Sequence, residues 1–383
     1  MDIYLDTLIH LPWATVESFR EIDGIVYFKI GLLNEEINCL NCQKKIDEIH
    51  QIEYGLIRDL PVFGRKVYLQ VPRRQFYCRD CEKHWTERLE FVEFHHRHTR
   101  RYEENIHEKV KHSSIEQVSQ EEKLSRDKVQ RIFNFIETRK KPNWGHPKRI
   151  GIDEFAQRKG HQNFDTVVSD IDKGKPLEII EGREGDKLIE VLSEEDLEVR
   201  KGVEEVSVDM WEGFPKVIQS VFPNARIVYD RFHVMQQVNR ELNKFRRLVK
   251  VTSRKAKYLL LKNGKDLKTE EWEELNKIFC EHPCLQIAYE FKERLREIYE
   301  TSKTIKGGRR EIKKWLRTAR VFYQESTSMI KRHLEGICNY FVHRTTNGVA
   351  EGINTKIKLV KRQGYGFSNF ENFRLRLFAA FDD

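Results

Sequence analysis

The sequence predicts a multidomain α+β protein, and three observations support this fold class. Two Cys-x2-Cys pairs near the N-terminus enclose a stretch that alternates like β-strands, and three short helical segments follow. From residue 148 onward, strand-like and helix-like segments come in the order β-β-β-α-β-α-β. Because the chain has 383 residues, it is long enough for two or three domains, and we expect these patterns to belong to separate domains.

The composition is typical of a charge-rich globular chain. Hydrophobic residues make up 39% and charged residues 34% of the sequence. No apolar run approaches the roughly 20 residues that a membrane-spanning helix needs. The N-terminal stretch MDIYLDTLIHLPW is acidic and lacks the basic start of a secretion signal. We therefore expect a cytoplasmic protein that has no membrane partner.

The positive charge is concentrated in three stretches. The formal net charge is +8, and Lys and Arg cluster in residues 239–265, 303–320 and 356–362. A solvated helix surface would explain any one of these runs. Three of them on a positively charged chain favour a polyanionic partner.

Four cysteines predict a metal site in an N-terminal domain over residues 1–95. The pairs CLNC and CRDC contribute Cys39, Cys42, Cys78 and Cys81. Each pair can place two thiolates on one tetrahedral ion, whereas a redox or coincidental origin explains one pair better than two. The pattern is typical of a zinc ribbon, in which four thiolates hold a structural Zn²⁺ and leave no position open for substrate. The remaining cysteines, Cys280, Cys284 and Cys338, are interpreted as core or incidental residues.

Residues 96–141 contain three short helical segments. Tyr102, Ile106 and Val110 recur at helical spacing. Serines at 113 and 114 precede Glu116 and Gln117 in a capping-box pattern that predicts the start of the second helix, and the serine at 125 is suited to start the third. Polar residues of the third helix form the candidate DNA-binding set: Arg126, Gln130, Arg131 and Asn134. An ordinary three-helix bundle is the alternative. Beside a zinc ribbon, we favour a helix-turn-helix whose third helix enters the major groove of DNA.

Residues 148–238 carry two aspartates at strand ends. The strand RIGID ends near Asp153, and EEVSV is followed by Asp209. The β-β-β-α-β-α-β order is that of the ribonuclease H-like α/β fold, in which the first strand is central. The strand after the first helix pairs beside it in parallel, so we expect Asp153 and Asp209 to face each other.

Neighbouring carboxylates of this kind favour a divalent cation. Two close carboxylates raise each other's pKa unless a cation lies between them, and Mg²⁺ or Mn²⁺ supplies that charge. Such a site would support in-line phosphoryl transfer to a water or a 3′-hydroxyl. An aspartate that ends a strand is usually a turn residue. That explanation weakens when the topology makes the two strands neighbours.

A third acid is expected from a helix near the C-terminus. In TTNGVAEGINTKIKLVKRQGYG, apolar residues recur at helical spacing, and Glu351 falls on another face with Lys358 and Arg362. This face combines one carboxylate with cations that can contact a phosphodiester backbone. Taken alone, Glu351 would be an ordinary surface residue.

The chain resembles the DDE transposases of bacterial insertion sequences, specifically the ISL-three family. The matching strings, in chain order, are CLNC…CRDC, GIDEFAQRKGH, VSVDMWEGF, IVYDRFHV and NGVAEGINTKIKLVKRQGYGFSNFENFRLRLF. The resemblance covers nearly the whole chain. It implies a zinc ribbon, a helix-turn-helix and a ribonuclease H-like core interrupted by an all-helical insertion, here over residues 239–343, with the core resuming over 344–383.

The resemblance also assigns site residues. It implies that Asp153, Asp209 and Glu351 are the catalytic acids that bind the metal. Asp230 and His233 match an Asp-x-x-His element, which we interpret as a pair that supports the metal ligands from outside or positions the DNA; a purely structural role is the alternative. Of Asp209 and Asp230, Asp209 is therefore the predicted metal ligand.

The predicted function is that of a DNA transposase. It would bind terminal inverted repeats of double-stranded DNA and catalyse strand cleavage and strand transfer, as a homodimer that holds two DNA ends. Two other functions stay open at this point. A non-catalytic DNA-binding regulator would leave the three acids unexplained, and a ribonuclease H-like nuclease would lack the joining step.

Overall fold

The structure is a computed structural model that describes residues 5–140, 143–158 and 162–382. The chain forms two compact units. The first comprises Met1–Lys141 with Arg362–Asp383, and the second comprises Pro142–Lys361. No helix in the described ranges is long and apolar enough to span a membrane.

A five-stranded sheet and a small hairpin form the N-terminal part of the first unit. After helix α1 (Leu5–Ile9), the strands are β1 (Ala14–Ile22), β2 (Ile25–Leu32), β3 (Ile37–Asn38), β4 (Lys45–Ile46), β5 (Ile49–Val62), β6 (Arg65–Cys78) and β7 (Lys83–Thr86). The sheet order is β1-β2-β6-β5, with β7 also paired to β6, and β3 pairs with β4. The predicted alternation in β6 is confirmed, because Val67, Leu69 and Val71 are buried in the core of this sheet.

Three short helices follow the sheet: α2 (Arg100–His112), α3 (Ile115–Glu122) and α4 (Arg126–Glu137). Each begins at a hydroxyl residue, because the side chains of Thr99, Ser114 and Ser125 accept hydrogen bonds from backbone N–H groups of the first turn. The predicted starts of the second and third helices are confirmed, with Ser114 rather than Ser113 as the cap of α3. Apolar residues at helical spacing on the three helices meet in one buried cluster.

The last helix, α16 (Phe370–Phe381), also belongs to the first unit. Its Leu375 and Ala379 join the buried cluster of α2–α4, and Arg376 donates a hydrogen bond to the carbonyl of Ser113 at 2.6 Å. Residues 344–383 are predicted to belong to the catalytic core, whereas the structure divides that segment between the two units near Lys361. Helical spacing reveals an apolar face but not the neighbour against which it packs.

The second unit is built on a mixed five-stranded sheet. Its elements are β8 (Arg149–Arg158), β9 (Gln162–Asp170), β10 (Lys175–Ile180), α5 (Gly185–Leu192), α6 (Leu197–Lys201), β11 (Glu205–Val208), α7 (Phe214–Val221) and β12 (Arg226–Tyr229). The strand order is β10-β9-β8-β11-β12, in which β8, β11 and β12 are parallel and β9 is antiparallel to both its neighbours. The first strand is therefore central and pairs in parallel with the strand after the first helices, as the sequence predicts.

Helices make up most of the chain between β12 and the region of Glu351. They are α8 (Arg231–Leu248), α9 (Arg254–Leu261), α10 (Thr269–Glu281), α11 (Pro283–Thr301), α12 (Ile305–Ala319), α13 (Gln324–Arg332), α14 (Leu334–His343) and α15 (Gly348–Gln363). Helix α14 returns to the sheet edge, where Asn339 donates to the carbonyl of Ile227 in β12 at 2.9 Å. This return places the start of α15 beside the parallel strands.

Candidate active site and metal-binding cluster

Four cysteine thiols converge at the tips of two hairpins in the first unit. Cys39 and Cys42 lie between β3 and β4, while Cys78 ends β6 and Cys81 lies between β6 and β7. Their four sulfur atoms are within 4.8 Å of one another, with a Cys39–Cys81 Sγ distance of 3.8 Å and a Cys42–Cys78 Sγ distance of 3.7 Å. Tetrahedral ligands at a Zn–S distance of about 2.3 Å would be about 3.8 Å apart, so the cluster fits a zinc ion.

The backbone and an amide side chain support the same cluster. Burial raises the pKa of the Cys39 thiol, but hydrogen bonds from the backbone N–H groups of Cys42 and Asn41 outweigh it and lower the pKa to about 6. The Asn41 side chain donates to Cys81 Sγ at 3.2 Å. Donors of this kind stabilise thiolates, which are the metal-binding form of cysteine.

In the second unit, three aspartates stand at equivalent positions on neighbouring parallel strands. When the register of β11 is continued past its last paired residues, Asp209 lies opposite Asp153 of β8 and opposite Asp230, which follows β12. The strand end predicted near Asp153 is wrong, because β8 continues to Arg158 and stays paired with β9 beyond Asp153. The backbone N–H of Asp230 donates to the carbonyl of Val208 at 3.0 Å, which holds the second pairing. Because adjacent strands are about 4.8 Å apart, Asp209 is one strand away from each of the other two aspartates.

The side chains of Asp153 and Asp209 have different partners. The Asp153 carboxylate accepts hydrogen bonds from the backbone N–H of Glu154 and from the side-chain amide of Asn354, both at 2.9 Å. The Asp209 carboxylate accepts one from the backbone N–H of Trp211 at 2.9 Å. Asp209 thus also closes the turn after β11, as an aspartate at a strand end commonly does.

Asp230 is the N-cap of helix α8. Its carboxylate accepts hydrogen bonds from the backbone N–H groups of Phe232, at 3.2 Å, and Asn347. His233 lies in the first turn of the same helix. The sequence motif that joins Asp230 to His233 therefore coincides with a capped helix start next to the sheet edge.

The sequence placed Glu351 on an exposed face of a helix, and the structure has it there. Helix α15 buries Ala350, Ile353, Ile357 and Val360, while Glu351 is exposed in its first turn. Lys358 and Arg362 are exposed further along the same helix. The apolar stripe of the helix is thus buried, and its acidic and basic face is accessible.

A cavity of about 520 Å³ brings several of these side chains together. Its lining includes Asp153, Glu154, Asp230, His233, Glu351 and Asn354. Asp209 is outside this lining, although its charge contributes to the raised pKa of Asp153. Within the described ranges, the cysteine cluster is the one group in which three or more potential metal-ligating atoms all lie within 4.8 Å of one another. The carboxylate oxygens of Asp153, Asp209 and Glu351 are near one another but do not meet that distance.

The electrostatics of this cavity favour a cation. Burial raises the pKa of Asp153 and, independently, that of Asp230, and the charge of Glu351 adds to the rise at Asp230. Burial also raises the pKa of Glu154, and the negative charge of Asp209 raises it further. A divalent cation would favour the ionised forms, and carboxylate oxygens are the ligands that Mg²⁺ and Mn²⁺ prefer.

Two asparagines at the start of α15 were not identified from the sequence. Asn354 tethers the helix to Asp153, and the backbone of Asn347 tethers it to Asp230. Asn347 is 6% exposed, and its Oδ1 has no hydrogen-bond partner among the described residues. The spacing of Asn347 and Asn354 around Glu351, one helical turn to each side, is the signal that could have revealed them.

Replacing Gly151 by alanine is expected to slow the DNA cleavage predicted from the sequence by about 100-fold, because small displacements of a catalytic group cost rates of that order. An added Cβ would lie 2.3 Å from Oδ1 of Asn347 and 3.1 Å from the Ser169 hydroxyl. Asn347 would have to move, and the start of α15 would move with it. The measurement is the single-turnover rate of end cleavage. Gly185→Ala is the control, because its new Cβ lies at an ordinary contact distance of 3.6 Å from Val217. An equal loss of cleavage rate in Gly185→Ala would contradict the prediction.

The predicted DNA-binding residues of α4 lie in two environments. Arg126 and Arg131 are exposed. Gln130 donates to the side chain of Asn134, which donates in turn to Asn372 of α16, each at 2.8 Å. Asn134, one of the four candidate residues of α4, is therefore engaged with the C-terminal helix, a contact that the sequence did not predict.

Comparison with known proteins agrees with these features along the chain. Residues 150–377 match the DDE-type "Transposase" family of ISL3, residues 35–81 match the "zinc-finger of transposase IS204/IS1001/IS1096/IS1165", and residues 87–136 match the "Helix-turn-helix domain of transposase family ISL3".

Individual relatives are insertion-sequence transposases. The transposase for element IS1001 of Bordetella parapertussis is 26% identical over 360 residues, which cover 90% of this chain and 88% of the relative. The transposase for element IS1557 of Mycobacterium tuberculosis is 27% identical over 257 residues, or 57% of each chain. The helix-turn-helix and transposase domains imply that DNA is a partner. With a family match over more than half its length, the chain belongs to the ISL3 family of insertion-sequence transposases.

Proposed function

We propose that the second unit is a ribonuclease H-like catalytic core and that Asp153, Asp209 and Glu351 are its catalytic acids. The observation that carries this proposal is the shared register of Asp153 and Asp209 on parallel strands, with α15 tied to Asp153 through Asn354. These contacts supply a physical reason for the three acids to act together although they are far apart in the sequence.

Mg²⁺ or Mn²⁺ would be held by these three carboxylates and, when bound, would stabilise charge on the attacking and leaving oxygens of the phosphodiester. The half-buried Asp153 carboxylate fits such ions by its chemistry and by the upward direction of its pKa shift. In the proposed reaction, water first cleaves the element end and leaves a 3′-hydroxyl. That hydroxyl then attacks a target phosphodiester, whose own 3′-oxygen leaves as the new bond forms.

Other residues of the chain would position these groups. Asn354 holds one oxygen of Asp153, while Asp230 caps α8 and fixes the turn that carries His233. We assign Asp230 and His233 to positioning of the acids or of the DNA, rather than to direct metal ligation. Lys358 and Arg362, exposed on α15, would contact the DNA backbone.

The first unit would recognise the terminal inverted repeats. Arg126 and Arg131 are exposed on α4, in the helix that a helix-turn-helix inserts into the major groove. A structural Zn²⁺ on the four cysteines would fix the two hairpin tips of the ribbon. Because two ends of the element must be joined to one target, we also propose that two copies of the chain act together.

Purified protein, labelled DNA from the ends of the element that encodes it, and a target plasmid provide the test. With Mg²⁺ we expect cleaved ends and joined product, and with EDTA we expect end binding without reaction. Nicking without joining would favour a nuclease. Retention of DNA without any metal-dependent reaction would favour a non-catalytic regulator, and either result would overturn the proposal.

A further inference from the structure

A second cavity lies within the first unit, next to the DNA-reading helix. It has a volume of about 400 Å³ and lies between the α2–α3 junction, one side of α4 and the segment that leads into α16. The lining residues that bear on its chemistry are Ser113, Glu116, Arg126, Gln130, Ser368 and Arg376. Arg126 and Gln130 already belong to the proposed DNA-binding set, so the cavity adjoins that surface.

Arg376 is a buried cation with unused donor capacity. It is 5% exposed, one of its terminal nitrogens donates to the carbonyl of Ser113 at 2.6 Å, and its guanidinium lies 5.7 Å from the ring centre of Phe133. The other terminal nitrogen, Nη1, is buried and has no hydrogen-bond partner among the described residues. Leaving a charged donor unpaired inside a protein costs more than leaving a neutral one. An acceptor in the cavity would remove that cost.

The start of α3 adds further donors to the same cavity. Ser114 caps this eight-residue helix through a hydrogen bond to the backbone N–H of Gln117, and Ile115 and Glu116 line the cavity. The first N–H groups of a helix have no partner within the helix, and the helix dipole places partial positive charge there. The hydroxyl of Ser113 is also buried and unpartnered among the described residues.

The formal charge around the cavity is positive. Arg126 and Arg376 contribute two positive charges, and Glu116 contributes one negative charge and pairs with Arg126. Burial lowers the pKa of Arg376 to about 10, against the opposing effect of Glu137, as expected for a cation that lacks a close counter-charge. The donors, the helix start and the charge all suit an oxyanion.

We propose that this cavity binds a phosphate of the DNA backbone, so that residues 364–376 complete the DNA-binding surface of the helix-turn-helix. The inference rests on the proposed binding of DNA by the first unit, and it adds a contact from the opposite end of the chain. Phosphate contacts of this kind set the position of a protein on DNA without reading its sequence. Inorganic phosphate shares the same chemistry and is the other source of such a ligand.

The salt dependence of DNA binding by Arg376→Gln tests this inference. Glutamine can still donate to the Ser113 carbonyl but has no charge. On a 30-bp duplex of arbitrary sequence, the slope of log K against log salt is expected to fall by about 1, with equal weakening on DNA from the element ends. Arg374→Gln removes a charge from the same helix at a position that does not line the cavity, and we expect it to leave the slope unchanged.

A surface variant keeps the test decisive if Arg376→Gln fails to fold. Ser368 lines the cavity but is exposed, so Ser368→Asp should fold and repel a phosphate, while Ser368→Asn is its neutral control. We expect several-fold weaker binding of the arbitrary duplex by Ser368→Asp alone. An unchanged slope in folded Arg376→Gln, or equal effects in either control, would overturn the inference.

Stabilisation by inorganic phosphate and the joining assay distinguish a failure of this inference from a failure of the proposed function. Stabilisation of the wild-type protein by inorganic phosphate, with no change of DNA slope in Arg376→Gln, would mean a site for a free anion and would overturn the DNA assignment. Because these measurements do not involve cleavage, a failure of the proposed catalytic function would appear separately, in the joining assay.

Discussion

Asp209→Asn and Glu351→Gln are each expected to abolish DNA cleavage and joining, with a rate loss on the order of 1,000-fold or more. Each substitution keeps the size of the side chain and removes one negative charge from the proposed ligand set. A loss of about 4 kcal/mol of transition-state stabilisation corresponds to a factor of that order. The measurements are the rate of end cleavage and the yield of joined product with Mg²⁺.

Two comparisons make the result specific. Glu273→Gln changes an exposed carboxylate on α10 and is expected to leave the cleavage rate unchanged. Asp230→Asn is expected to lose less activity than Asp209→Asn, because asparagine also caps helices well. End binding should persist in all four proteins. Normal cleavage by folded Asp209→Asn or Glu351→Gln would refute the assignment of the acids.

Cys39→Ser is expected to remove the bound zinc and to unfold the ribbon around it. The two-residue strands β3 and β4 pack only on a small apolar cluster with Phe76, and zinc binding supplies roughly 10 kcal/mol to small domains of this kind. We expect the zinc content to fall from about one ion per chain to near zero, residues 35–86 to become sensitive to protease, and end binding to weaken sharply.

Cys280→Ser is the matched control, because Cys280 is an exposed free thiol on α10. It should retain the full zinc content and the protease resistance of the wild-type protein. Full zinc retention by Cys39→Ser, or loss of zinc from Cys280→Ser, would show that the four-cysteine cluster is not the metal site.

Local patterns made much of this architecture predictable from the sequence. The cysteine spacing located the cluster, because two thiols in each tight turn can reach one ion. Short apolar runs located β11 and β12, whose buried residues leave few alternatives to a parallel sheet covered on both faces. The order of strands and helices then gave the neighbours of β8, since parallel strands require crossover connections.

Contacts between distant parts of the chain could not be predicted in this way. The hydrogen bond of Asn354 to Asp153 joins residues 201 positions apart, and the identity of one residue does not indicate that the other is its partner. Glu154 follows Asp153 in β8, and strand alternation assigns their side chains to opposite faces. Both nevertheless line the same cavity. Only the packing of α15 at the end of the strands makes these relations visible.

The position of α16 has a consequence for how the chain matures during translation. Asn134 and its partner Asn372 are separated by 238 positions, so the nascent chain exposes α4 for roughly 10–50 s before that partner is made, at about 5–20 residues per second. Glu351 is made only shortly before Asn372. A ribosome-bound chain therefore gains the third acid of the proposed site and the final surroundings of α4, the proposed DNA-reading helix, in the same late interval, and incomplete chains have neither.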